Sequence, residues 1–147
     1  MTSDTGLLAL LHRSNQIGEK RFVESLGRSK VTARQYQVLA LVAENEGASQ
    51  TRIVDLSGID RSTLADVVKR LVEGKLIARR RVKSDARAYE LKLTDEGRQV
   101  LEDTKPALKR AEASLLEDMS GEQRDVLISL LTRVVEFDAK QQRSVSD

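Results

Sequence analysis

The chain has 147 residues, 33% charged and 39% hydrophobic, with net charge +2, no cysteine and a single histidine, His12. This length suits one domain, the composition is too apolar for a disordered chain, and no apolar run approaches the roughly 20 residues of a bilayer span. Without thiols and with one histidine there is no redox pair, thiolate nucleophile or transition-metal ligand set, so no metal and no cofactor is expected.

The recurrence of Leu7, Leu10, Leu11, Ile17, Phe22 and Leu26 predicts a helix over 6–27, with Gly27 as its stop. Thr32 and Gln35 have capping-box spacing and open a second helix that runs to the Glu46-Gly47 break. Ser49 caps a short helix carrying Ile53, Val54 and Leu56, closed by Ser57-Gly58, the tight junction of a helix-turn-helix. Asp60 caps the next helix, 61–73, in which Leu64, Val67, Val68, Leu71 and Val72 form one apolar stripe.

The period then changes. Tyr89, Leu91 and Leu93 alternate with Glu90 and Lys92, which marks a strand over 89–93. Residues 77–82 are its partner, across a loop at Lys83-Ser84-Asp85-Ala86. Thr94-Asp95-Glu96 opens a helix to about Met119, bent at Pro106. Ser120 and Gln123 form a second capping box for a last helix, 121–140, with Gln141 to Asp147 as a frayed tail. The expected fold is mainly α, an α+β winged helix of six helices and a two-stranded β wing.

Charge is segregated along this plan. Residues 61–92 hold 10 Lys and Arg against 4 Asp and Glu, net +6, and the remainder is net −4. One basic third suggests an anionic partner. Opposite its apolar stripe, the 61–73 helix carries Arg61, Ser62, Thr63, Ala65, Asp66, Lys69 and Arg70. Small side chains allow close approach to base edges, and the cations reach phosphate or guanine. Asp66 would repel phosphate, so it either pairs with Arg70 one turn on, the favoured reading, or accepts from a cytosine amine. Ser49 and Gln50 stand where the preceding helix can meet a phosphate. Arg79, Arg80, Arg81, Lys83 and Arg87 crowd the hairpin, whose tip suits a minor groove, and Asp85 is expected to brace Arg87 by a salt bridge.

Several segments, Asp60-Arg-Ser-Thr-Leu, the run Val68-Lys-Arg-Leu-Val-Glu-Gly-Lys-Leu-Ile-Ala-Arg79, Ser84-Asp-Ala-Arg87 and Leu91-Lys-Leu-Thr-Asp-Glu-Gly97, closely resemble the multiple-antibiotic-resistance regulator (MarR) family. The resemblance spans nearly the whole chain, 1–147, read as a single unit. It implies a winged helix-turn-helix DNA-binding region over 32–94, with terminal helices, 1–28 and 95–141, interlocking in a homodimer. It further implies a recognition helix in the major groove of double-stranded DNA, a wing in the adjacent minor groove, and a small, often aromatic, effector. Ala86 departs from the arginine that many members carry, which removes one backbone contact from the wing.

The terminal helices carry more apolar side chains than one winged module can cover, so they either build a larger monomeric core or, the favoured reading, bury one another in a two-fold dimer on a pseudo-palindromic operator. His12 lies close to the apolar stripe of the first helix. It is either a structural histidine or, with Arg13, Gln16 and Tyr36, part of a pocket for an aromatic carboxylate or its coenzyme A thioester. The expected protein is a cytoplasmic, ligand-responsive repressor, not an enzyme and not a membrane protein. The alternative is a winged-helix module whose basic hairpin binds an acidic protein or RNA without any ligand response.

Overall fold

A computed structural model describes residues 6–27 and 31–145. Residues 1–5 and 28 of the expected N-terminal dimerisation segment, and Ser146 and Asp147 of the expected tail, lie outside the described residues. The elements are α1 (Leu7–Leu26), α2 (Ala33–Glu44), α3 (Gln50–Ser57), α4 (Arg61–Glu73), β1 (Ile77–Val82), β2 (Asp85–Leu93), α5 (Asp95–Leu115) and α6 (Gly121–Val145). They form two compact units, one through Glu112 and one from Ala113. No helix among the described residues is long and apolar enough to cross a membrane.

The helix boundaries follow from local chemistry. Thr32 accepts from the Gln35 amide at 3.1 Å while the Gln35 side chain accepts from the Thr32 amide at 2.9 Å, a complete capping box. Ser49 accepts from the Arg52 amide and starts α3. Gly58 ends α3 at φ 65°, a left-handed conformation that a side chain would strain, so the chain can reverse into α4. Asp60 caps α4 by accepting from the Thr63 amide at 2.9 Å and the Ser62 hydroxyl at 2.8 Å.

The core of the first unit lies among α2, α3, α4 and the sheet. Val38, Leu39, Val42, Ile53, Leu64, Val68, Leu71, Ile77 and Leu91 are buried there. Val67 and Val72 are only half-buried at the edges of the α4 stripe. β1 and β2 pair antiparallel, with Ile77 opposite Leu93 and Arg81 opposite Tyr89. Three sequence expectations are corrected here. β2 begins at Asp85, not Tyr89, so the turn shrinks to Lys83 and Ser84. α5 ends at Leu115 rather than Met119, although it stays helical through Pro106. α6 continues to Val145 rather than fraying at Gln141, because Lys140 to Arg143 are helix-compatible and no stop residue follows Phe137.

A clamp at the start of α5 ties the unit together. The Thr94 hydroxyl donates to the Lys75 carbonyl at 2.6 Å and accepts from the Gly97 amide at 2.9 Å. Gly97 is buried so close to the turn after α4 that an added Cβ would stand 2.0 Å from the Leu76 carbonyl oxygen. That neighbour is backbone and cannot swing aside.

Gly97→Ala is therefore expected to destabilise the fold by about 3 kcal/mol in urea unfolding. Gly121→Ala, which meets open space, should stay within about 0.5 kcal/mol of the parent. Hydrogen bonds from Thr63, side chain and backbone, and then from Ser62 hold the Asp60 carboxyl down from 3.8 to about 2. A depressed carboxyl stabilises the folded state above its ordinary value, and that help fades as pH falls through the folded value. The gap in unfolding midpoint between the parent and Asp60→Ala should thus be full at neutral pH and shrink from pH 4 toward pH 2.

Candidate nucleic-acid interface

α4 turns Leu64, Val68 and Leu71 into the core, which leaves Arg61, Ser62, Thr63, Asp66, Lys69 and Arg70 exposed and Ala65 half-buried. The expected reading face is thus one continuous outer surface of a single helix. Asp66 does not pair with Arg70, correcting the sequence expectation. Arg70, in the last turn, instead lines a cavity of about 680 Å³ with Glu96 and Asp103 of α5. Ser49 and Gln50 are half-buried. The Ser49 hydroxyl is occupied as a helix cap and its backbone bridges to Glu90. The Gln50 Oε1 is buried without a hydrogen-bond partner.

β1 leaves α4 through Gly74 to Leu76, so the basic hairpin follows the reading helix directly. Arg79, Arg80, Arg81, Lys83, Asp85 and Arg87 are all exposed. Asp85 does not salt-bridge Arg87. Its carboxylate accepts from the Arg87 backbone amide at 2.9 Å, a local turn contact that leaves the guanidinium unpaired. Arg80 pairs with Glu90 across the strands at 3.3 Å. The guanidinium carbons of Arg79 and Arg81 stand 4.5 and 5.7 Å from the centre of the Tyr89 ring. Sequence reasoning read Tyr89 only as a strand residue. The signal was present in the arginines across the hairpin, but it needed the register to be legible.

The expected effector residues do not converge within one chain. His12, Arg13 and Gln16 are exposed on α1. Ten residues of helix, about 15 Å, separate His12 from Phe22, whose ring meets Tyr36 at 6.2 Å. Tyr36 borders a cavity of about 370 Å³ with Ala40, Leu93, Leu101, Arg98 and Lys105. Burial raises the Tyr36 hydroxyl above its ordinary value. The two cations at this cavity are already engaged: Lys105 with Glu102 at 2.6 Å and Arg98 with Glu46.

Residues 29–88 match the model of the MarR family. The chain is 31% identical over 147 residues to a putative transcriptional regulatory protein for the hcr operon of Thauera aromatica, covering 99% of this chain and 89% of that one. Among solved structures it is similar to the transcriptional repressor CouR bound to a 23-mer DNA duplex, at 32% identity and TM-score 0.80, covering 88% and 92% of the two chains. It is also similar to the PcaV regulator of Streptomyces coelicolor in complex with its natural ligand, at 28% identity and TM-score 0.83, covering 92% and 98%. The reading helix, the basic hairpin and these likenesses agree: the chain belongs to the MarR family of winged helix-turn-helix proteins and is a DNA-binding transcriptional regulator, not an enzyme.

Proposed function

We propose that the protein is a homodimeric repressor that sets α4 in the major groove and the hairpin in the adjacent minor groove of a pseudo-palindromic operator, and that a small aromatic acid or its coenzyme A thioester releases it. One observation carries the DNA part. Arg61, Lys69, Arg79, Arg81, Lys83 and Arg87 have no acidic partner among the described residues, and all lie on α4 and the wing. Exposed cations this dense, against only Asp66, Glu73 and Asp85 as exposed acids on the same elements, are the electrostatic footprint of a polyanion site. Beside them, Asp66 and the acceptor lone pairs of the Ser62 and Thr63 hydroxyls, whose protons are spent on Asp60, suit donors at base edges.

The dimer follows from what one chain leaves in water. Leu7 and Leu8 of α1 are 71% and 81% exposed, and Val134, Val135 and Phe137 of α6 are all above 60%. Each such side chain gains roughly 1.5–3 kcal/mol on full burial, so a second copy covering them is strongly favoured.

The effector would enter the Tyr36 cavity, where an aromatic ring meets apolar walls, and its carboxylate would have to draw Lys105 away from Glu102. Because His12, Arg13 and Gln16 stand apart from that cavity within one chain, their part in binding would require the second subunit. PcaV in complex with its natural ligand supports a small-molecule effector, and Bordetella bronchiseptica BpsR, whose DNA binding is regulated by 6-hydroxynicotinic acid, supports an aromatic acid. To release DNA, the ligand need only favour the non-binding spacing of the two recognition helices by a few kcal/mol.

Fluorescence anisotropy with duplex from the region upstream of its own gene tests this reading. Binding below micromolar is expected, with light scattering at twice the 16.4 kDa chain mass. Arg87→Ala should weaken binding and flatten the plot of log affinity against log salt by about one unit. An unchanged slope contradicts the wing assignment, and a preference for RNA over duplex DNA contradicts the operator.

A further inference from the structure

We propose that Tyr89 is a positioning residue of the wing: its ring holds Arg79 and Arg81 ready as a pair of phosphate-binding cations, whereas Arg80, between them in sequence, is held by Glu90 and contributes little to binding. The inference rests on the hairpin being a DNA-contacting wing.

Strand geometry sorts the three consecutive arginines. Successive side chains of β1 point to opposite faces, so Arg79 and Arg81 share one face and Arg80 takes the other. The register places Tyr89 opposite Arg81 and Glu90 opposite Arg80. Each face thus receives a different partner. On one, the Glu90 carboxylate meets the Arg80 guanidinium at 3.3 Å. On the other, the Tyr89 ring is approached by Arg79 at 4.5 Å and Arg81 at 5.7 Å, both within cation–π range.

The two partners have opposite consequences. A carboxylate occupies N–H donors at the edge of a guanidinium and offsets part of its charge. An aromatic ring engages only the face and leaves both the charge and the edge donors available for bidentate contact with a phosphate. Tyr89 is half-buried and is followed by Leu91, which is fully buried, so the ring is anchored at the root of the wing. Arginine has among the largest rotamer freedom to lose on binding, and a ring that orders two of them beforehand reduces that loss.

The test is a salt titration of duplex binding by the full chain and five variants. Arg79→Ala and Arg81→Ala should each lower the slope by about 0.9, the value for one released counterion, while Arg80→Ala leaves it unchanged. Tyr89→Phe keeps the ring and should bind like the parent. Tyr89→Leu keeps every charge and should lose roughly fivefold in affinity with little change of slope. A melting curve for each variant separates loss of fold from loss of positioning, and the Arg80→Ala and Tyr89→Phe outcomes stand even if Tyr89→Leu unfolds. The proposal is overturned if Arg80→Ala flattens the slope as much as its neighbours do, or if folded Tyr89→Leu binds like the parent. If none of the three arginines alters the slope, the wing reading fails instead, and this inference with it.

Discussion

The first unit depends on the close approach of Gly97 to the backbone of Leu76. Only a residue without a Cβ fits there, and Thr94 locks the approach by bonding to the Lys75 carbonyl and the Gly97 amide. Within a few residues this joins the end of α4, the root of β1, the end of β2 and the start of α5. The reading helix and the wing are consequently pinned to one point. The proposed contact with two neighbouring grooves needs such a fixed relation, since loosely held elements would add ordering cost on binding. Lys75, at φ 60° without being glycine, sits in the same turn and accepts its strain within this clamp.

Electrostatics then divides the cations into two groups. Arg80, Arg98 and Lys105 are matched to Glu90, Glu46 and Glu102, and Lys20 and Arg21 share Glu24 on α1. Exposed ion pairs of this kind contribute little stability, so their main effect is to withdraw these cations from the surface field. Arg61, Lys69, Arg79, Arg81, Lys83 and Arg87, unmatched among the described residues, gather on α4 and the hairpin of a chain whose overall charge is only +2. Family membership and this distribution point the same way, by independent routes.

Much of this was legible in the residues. Caps are short-range chemistry, so Thr32 with Gln35, Ser49 and Asp60 placed three helix starts correctly, and the 61–73 stripe matched α4 end to end. What failed depended on tertiary geometry. Ala86 and Ala88 weaken the alternation that would have revealed the start of β2. The two anticipated pairings, Asp66 with Arg70 and Asp85 with Arg87, were plausible by spacing alone. In the fold Arg70 lines a cavity with Glu96 and Asp103 of α5, and Asp85 satisfies a backbone amide instead. The four effector candidates shared a pattern but not a location, because His12 lies three helical turns from Phe22.

Hydroxyl-radical footprinting of a duplex selected by this protein tests the central claim, that α4 and the hairpin form one DNA-reading surface presented twice by a dimer. Two symmetric sets of protection about one helical turn apart are expected, each with a minor-groove component that disappears in Arg87→Ala while the central protection persists. A single asymmetric footprint, or a minor-groove pattern indifferent to Arg87, would contradict it.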